Sequence, residues 1–154
     1  MVKVNNKFAI GCLIQWYEIE LVEEYLRSVK NAVDSVQNKK DVIIDLYFNT
    51  SQALEKIDND QITISDLNQK YNKLLMDIFG YDDEFVSLVG CDYNLKLHTN
   101  KHVEEIHTIA DYRREFNDKY CEKVDVLMWG ETDSLIPKQT FEILDSLHNN
   151  VKNQ

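Results

Sequence analysis

Val124-Asp125-Val126-Leu127-Met128-Trp129-Gly130-Glu131-Thr132-Asp133-Ser134-Leu135-Ile136-Pro137 opens as a short apolar run and breaks at a glycine into two carboxylates one residue apart. A short apolar run of this kind suits a strand buried on both faces of a parallel sheet. Pro137 has the fixed φ favoured in the first turn of a helix, and Phe141, Leu144 and Leu147 continue at helical spacing. The carboxylates therefore fall where a strand has ended and a helix has not begun. Ligands of open α/β sheets bind there, beyond the carboxyl ends of the strands. Two such acids can share one divalent cation, because hard cations such as Mg²⁺ take one or two carboxylates together with phosphate oxygens. The plainer reading is a solvated acidic turn.

Working outward, Phe8-Ala9-Ile10-Gly11-Cys12-Leu13-Ile14 reads as a first buried strand, with Gln15-Trp16-Tyr17-Glu18 as the turn after it. From Ile19 the period changes. Val22, Leu26, Val29, Val33 and Val36 share a helix face, and Glu20, Glu23 and Glu24 occupy the first turns, where the helix dipole favours acids. Asp41 to Phe48 is rich in β-branched and aromatic residues and reads as a second strand, closing in the polar turn Asn49-Thr50-Ser51. A short helix near Ala53-Leu54 and a loop at Asp58-Asn59-Asp60 follow. Ser65 has the character of an N-cap, Leu67, Tyr71, Leu74, Leu75 and Ile78 form a helical stripe, and Gly80 stands where a C-terminal glycine belongs. Phe85 to Val89 reads as a third strand and Tyr93 to Leu97 as a fourth or an edge. Ile109, Tyr112, Phe116 and Tyr120 mark a helix leading into the stretch at 124.

Strands alternating with helices predict an α/β fold with a mostly parallel open sheet flanked by helices. No G-x-G-x-x-G follows the first strand and no Walker A lysine is present, which argues against a nicotinamide dehydrogenase or a P-loop NTPase. No Gly-x-Ser-x-Gly elbow or Cys/His nucleophile arrangement occurs either.

The chain has 154 residues, enough for a real core, and 44% hydrophobic with 29% charged residues is an ordinary globular balance. No apolar run is long enough to span a bilayer and the N-terminus lacks the features of a signal peptide, so a cytoplasmic protein is expected. Three widely spaced cysteines, Cys12, Cys91 and Cys121, read as reduced core thiols. A net charge of -10 argues against a broad nucleic-acid surface. His98, His102 and His107 fall in one stretch. The first two would share a helix face, which invites zinc, but no Cys pair or His-Glu-x-x-His accompanies them and a polar loop is the expected account. Arg113 and Arg114 are close in sequence to the carboxylate turn. Arginine suits phosphate, while helix-surface ion pairs with Asp111, Glu115 or Asp118 are the plain alternative.

Ile14 to Val29 resembles the opening of family-2-type glycosyltransferases of the GT-A fold, where a first strand runs into a P-T-Y-N turn and a helix ending L-x-S-L. Tyr17, Leu21, Leu26, Arg27 and Ser28 match, with Gln15 in place of the proline and Glu18 in place of the asparagine. The run from Arg113-Arg114 to Pro137 resembles the family's arginine-bearing helix, strand, metal-binding Asp-x-Asp and following proline, here as Glu131-Thr132-Asp133. Asn49 stands where the family often has an acid, and residues 52–106 match nothing. The resemblance implies a Rossmann-like nucleotide-diphospho-sugar transferase domain over residues 1–154. It places Gln15, Trp16, Tyr17 and Asn49 in the nucleoside pocket and Arg113 or Arg114 at the diphosphate. Glu131 would contact the ribose or metal-bound water, with Glu131 and Asp133 as holders of Mn²⁺ or Mg²⁺. It also implies an acceptor, whose site and catalytic base follow the metal motif in the family. Only residues 138–154 follow it here, so a donor-binding half, a truncated relative, or a site completed by a partner or second copy is expected. Two other classes compete: a non-catalytic α/β interaction module, and a small metal-dependent hydrolase or phosphotransferase using the same carboxylates. Aromatic residues near predicted strand ends (Trp16, Tyr17, Tyr47, Phe48, Trp129) suit a nucleotide or sugar pocket and equally suit a core.

Overall fold

The computed structural model describes residues 1–50, 63–80, 92–99 and 107–152. Four parallel strands form one sheet: β1 (Phe8–Gln15), β2 (Val42–Asn49), β3 (Asn94–Thr99) and β4 (Val126–Trp129), in the order β3-β2-β1-β4. The helices are α1 (Val22–Asp34), α2 (Ile64–Phe79), α3 (Ile109–Tyr120) and α4 (Thr140–Lys152), with 3-10 turns at Trp16–Glu18 and Lys39–Asp41. The α/β class and the parallel sheet expected from the alternating pattern are therefore present. Among the described residues no helix is long and apolar enough to cross a membrane.

The two sheet faces carry different side chains because β1 alternates large with small. Phe8, Ile10, Cys12 and Ile14 face a core shared with α1, α2 and α4, including Tyr25, Leu26, Tyr71, Leu75 and Phe141. Ala9 and Leu13 face Tyr112, Phe116 and Tyr120 of α3. Gly11 lies on that second face, where a Cβ would come within 2.6 Å of Phe116 and 2.7 Å of the Tyr112 hydroxyl. A side chain at 11 would lift α3 off the sheet.

Several boundaries differ from expectation. The α2 cap is Thr63, whose hydroxyl accepts from Asp66 N at 3.0 Å, rather than Ser65. Gly80 does close that helix in the left-handed region, at φ 75. Helix α4 begins at Thr140 and not at Pro137, because the Pro137 carbonyl accepts from Thr140 N and Oγ1 in a preceding turn. Leu147 leaves the packed stripe: it is exposed, whereas Phe141 is buried and Leu144 half-buried. His98 lies in strand β3, neither helix nor loop. Cys12 is a buried thiol but Cys121 is exposed, and both are free. The expected short helix at Ala53-Leu54, the loop at Asp58–Asp60, the strand at Phe85–Val89, Cys91 and His102 lie outside the described residues.

Candidate functional site

The strand order sets the site. From β1 the chain steps to β2 and then β3, and β4 returns to the opposite side of β1. The order thus reverses between β1 and β4, and such a reversal marks the ligand crevice of open α/β sheets. At the carboxyl end of β1 stand Gln15, Trp16, Tyr17 and Glu18, and at that of β4 stand Trp129, Gly130, Glu131, Thr132 and Asp133. Thr132 Oγ1 donates to Glu18 Oε2 at 2.7 Å, tying the two turns together across the crevice. Neither residue of this tie was singled out for it from the sequence, because they are 114 positions apart.

The β4 turn is held from beneath as well. Gly130 N donates to Gly11 O at 2.7 Å, extending the ladder past the strand. A Cβ at Gly130 would lie 1.8 Å from the Tyr25 hydroxyl, so only glycine lets α1 approach this closely. Ile136 N donates to Ser28 Oγ at 3.1 Å, pinning the outgoing loop to the same helix. Tyr25 is itself buried beside Cys12. Burial, with the charges of Glu18 and Glu131, pushes the Cys12 thiol up to about 12 against the opposing Tyr25 contact. This thiol therefore stays protonated and is no nucleophile.

Arg113 and Arg114 part company. The Arg113 guanidinium lies 4.8 Å over the Trp129 ring and 3.5 Å from Glu131 Oε1, so it belongs to the crevice. Arg114 is exposed and pairs with Asp111 at 3.5 Å on the outer surface of α3. That is the plain helix-surface pairing, and it leaves Arg113 as the arginine at the carboxylates. Glu131 and Asp133 are both exposed, and Asp133 has a long contact with Ser134 Oγ at 3.4 Å. Trp16 is half-buried against the core, while Tyr17 is 63% exposed and meets it edge to face at 5.6 Å. Phe48 is buried against Tyr71 and forms core, not pocket.

Gln15 and Asn49 are register partners at the ends of β1 and β2. Buried Asn49 donates through Nδ2 to Gln15 Oε1 at 3.0 Å and to His107 O at 2.8 Å. The His107 ring stacks on Tyr47 at 4.4 Å and nearly parallel. The segment leading into α3 is thereby fastened to the strand ends beside the crevice.

A second polar centre lies inside the α3 face. Asp45, 2% exposed, accepts from Tyr120 Oη at 2.5 Å and Tyr112 Oη at 2.8 Å, and its Oδ2 lies 3.0 Å from His98 Nε2. Lys119 Nζ stands 3.9 Å from the same oxygen. Burial by itself would raise the Asp45 carboxyl, but His98 and the two hydroxyls together hold it below the usual carboxylate range. Burial and the Asp45 charge push both tyrosines well above theirs. A cavity of about 80 Å³ adjoins the cluster. His98 is thus held by Asp45 through Nε2. Among the described residues no three of His, Cys, Asp and Glu gather as metal ligands. A larger groove of about 720 Å³ runs along the second half of α1 and the loop before α4, away from the crevice.

Comparison of the chain with protein families, with curated proteins and with solved structures found no match.

Proposed function

We propose that the chain binds a nucleotide-diphosphate sugar at the β1/β4 crevice and works as a glycosyltransferase, or as the donor-binding portion of one. The observation that carries this reading is the gathering of Arg113, Trp129 and Glu131 at the end of β4, in a turn tied to the one after β1 by the Thr132–Glu18 bond, where the strand order reverses.

The donor set fits a hard divalent cation such as Mn²⁺ or Mg²⁺. Glu131 and Asp133 offer carboxylate oxygens one residue apart in sequence, and the Arg113 guanidinium already lies 3.5 Å from Glu131. Two carboxylates are too few to complete a coordination shell, so diphosphate oxygens and water would supply the rest. When bound, such an ion neutralises charge on the departing diphosphate. The chain's own residues have separate tasks. Arg113 turns its forked donors from Glu131 to the phosphates. Trp129 keeps the guanidinium oriented by stacking. Exposed Tyr17 offers an aromatic face to the base or sugar. The Thr132–Glu18 bond keeps the two turns at a fixed separation.

Calorimetric titration of UDP, GDP and their sugar conjugates, with Mn²⁺ and then with EDTA, tests the reading. Asp133→Ala should weaken Mn²⁺-dependent binding by about a hundredfold, or about 3 kcal/mol, with an unchanged circular dichroism spectrum. Undiminished binding in that variant would sink the metal assignment. No binding by any nucleotide to the folded wild type would leave the interaction module as the better reading, and hydrolysis of the sugar nucleotide without transfer would favour the hydrolase.

A further inference from the structure

Among the described residues strand β4 ends the sheet, with β1 on one side of it. Gly130 N donates to Gly11 O and Val126 N to Lys7 O, both toward β1. Backbone groups alternate along a strand, so Met128 also turns to β1, while Leu127 and Trp129 turn their N–H and C=O outward. Natural sheet edges are blunted by lysine, proline or charge. Val126-Leu127-Met128-Trp129 carries none of these, and none of the four is buried.

Helix α4 leaves an apolar stripe on the same side of the molecule. Glu142 faces the groove beside α1, while Phe141 and Asp145 face β1 and the segment entering it. Steps of about 100° per residue put Ile143, Leu147 and Val151 on the remaining flank, away from α1, and each is more than half exposed. Helix α1 touches both α2 and α4, and α2 packs Tyr71 on Phe48 of β2. The flank of α4 away from α1 therefore lies on the side where the sheet stops at β4. Phe141 and Leu144 share one core with Val126 and Met128, which sets α4 against that last strand.

We propose that a second copy of this chain adds to the β4 edge, antiparallel about a two-fold axis at Leu127, and sets its Lys123 beside Glu131. Charge complementarity selects this occupant and this register. Outward groups must face outward groups, so the two-fold falls at Val126, Leu127 or Met128. Centred on Met128, it sets the carboxylates of Asp125 and Glu131 opposite each other. Centred on Val126, it leaves Glu131 opposite Cys121. Centred on Leu127, it faces exposed Lys123 with exposed Glu131 at both ends of the seam, and opposite charges across strands are favourable. Leu127 then exchanges both backbone bonds with its own copy. A two-fold perpendicular to the sheet keeps both α4 helices on one face. Packed helices lie about 8–10 Å apart, about two strand spacings, so the two stripes meet above the seam with Ile143 toward Val151. The contact is isologous and closes at two copies. Each β4 turn thereby receives a cation from the other chain.

Sedimentation velocity of the whole chain, without nucleotide, from about 1 to about 300 µM tests this, a small interface of this kind being weak and reversible. The wild type should pass from monomer to dimer. Leu147→Lys, at an exposed position, should leave a folded monomer throughout. Lys123→Glu and Glu131→Lys each set like charges together and should weaken the dimer by about tenfold or more, and the double swap should restore it. A wild type that stays monomeric over the whole range overturns the proposal. A dimer indifferent to Leu147→Lys and to Lys123→Glu overturns the β4 seam. Failure of the double swap to restore a dimer lost in both single variants overturns the Lys123–Glu131 register. No nucleotide enters these measurements, so their failure is separate from failure of the nucleotide reading.

Discussion

Asp45 joins β2, β3 and α3 at one carboxylate. Substitution by alanine leaves the buried Tyr120 hydroxyl without its acceptor and leaves the Tyr112 hydroxyl only the backbone carbonyl of residue 45, at 3.1 Å. Each orphaned group costs about 1–3 kcal/mol, so Asp45→Ala should lose about 3 kcal/mol of unfolding free energy. The pH dependence has a definite sign. The folded carboxyl titrates below its unfolded value of about 3.9, so on acidification the unfolded chain takes up the proton first. The stabilisation is fully present above the ordinary carboxylate range and is lost as pH falls through the lowered folded value. Urea melts of wild type and Asp45→Asn from about pH 7 to about pH 3 check it: the gap between them should close on acidification, and a constant gap would contradict the ion-pair account. None of this was legible in the sequence. Asp45 interrupts an apolar strand like any solvent-facing acid, and its partners His98, Tyr112 and Tyr120 are 53, 67 and 75 positions away. Arg113 and Arg114 were indistinguishable for a related reason. Adjacent helix residues point about a hundred degrees apart, and only the sheet beneath decides which one meets Trp129.

At the scale of elements, period and caps were legible and tethers were not. The 3.6-residue stripes of α1, α2 and α3 and the apolar runs of β1 and β2 appear within a residue or two of where they were read, because each is set by neighbours in sequence. The start of α2 was misplaced because Thr63 and Ser65 are both competent caps, and the choice falls to the one whose hydroxyl reaches Asp66 N. The docking of α4 depends on a contact that no local pattern announces. Buried Asp145 Oδ1 accepts from Asn5 N at 3.0 Å, Asn6 N at 2.9 Å and Asn6 Nδ2 at 2.8 Å, fixing the helix to the segment that enters β1. Asp145→Ala strands those donors and should cost about 2 kcal/mol. Amide hydrogen exchange at Asn5 and Asn6 should quicken together with the lowered denaturation midpoint. Asp145→Asn keeps a carbonyl oxygen in place and should recover much of the loss; equal damage from both variants would assign the effect to the charge instead.

At the scale of the whole molecule, the crevice was legible as a place and not as a geometry. The break at Gly130 and the turn after Ile14 located two strand ends, while their adjacency follows from the order β3-β2-β1-β4, which no single stretch of sequence contains. The net charge of -10 then acts on whatever enters. Glu18, Glu131 and Asp133 lie on the turns after β1 and β4, and the cation brought there, Arg113, is already paired with Glu131. A bare nucleotide diphosphate therefore approaches a field of its own sign, whereas its Mn²⁺ complex brings a counter-charge for the carboxylates. Salt separates these cases by the direction of its effect. Screening shortens from about 10 Å at 0.1 M to about 3 Å at 1 M, so added salt relieves repulsion in the first case and weakens attraction in the second. UDP binding in EDTA should hold or strengthen as NaCl is raised from about 0.05 to about 0.5 M, while binding with Mn²⁺ should weaken over the same range. Weakening by salt in EDTA as well would mean that Arg113 outweighs the carboxylates at the mouth. The metal would then have no electrostatic task to perform there.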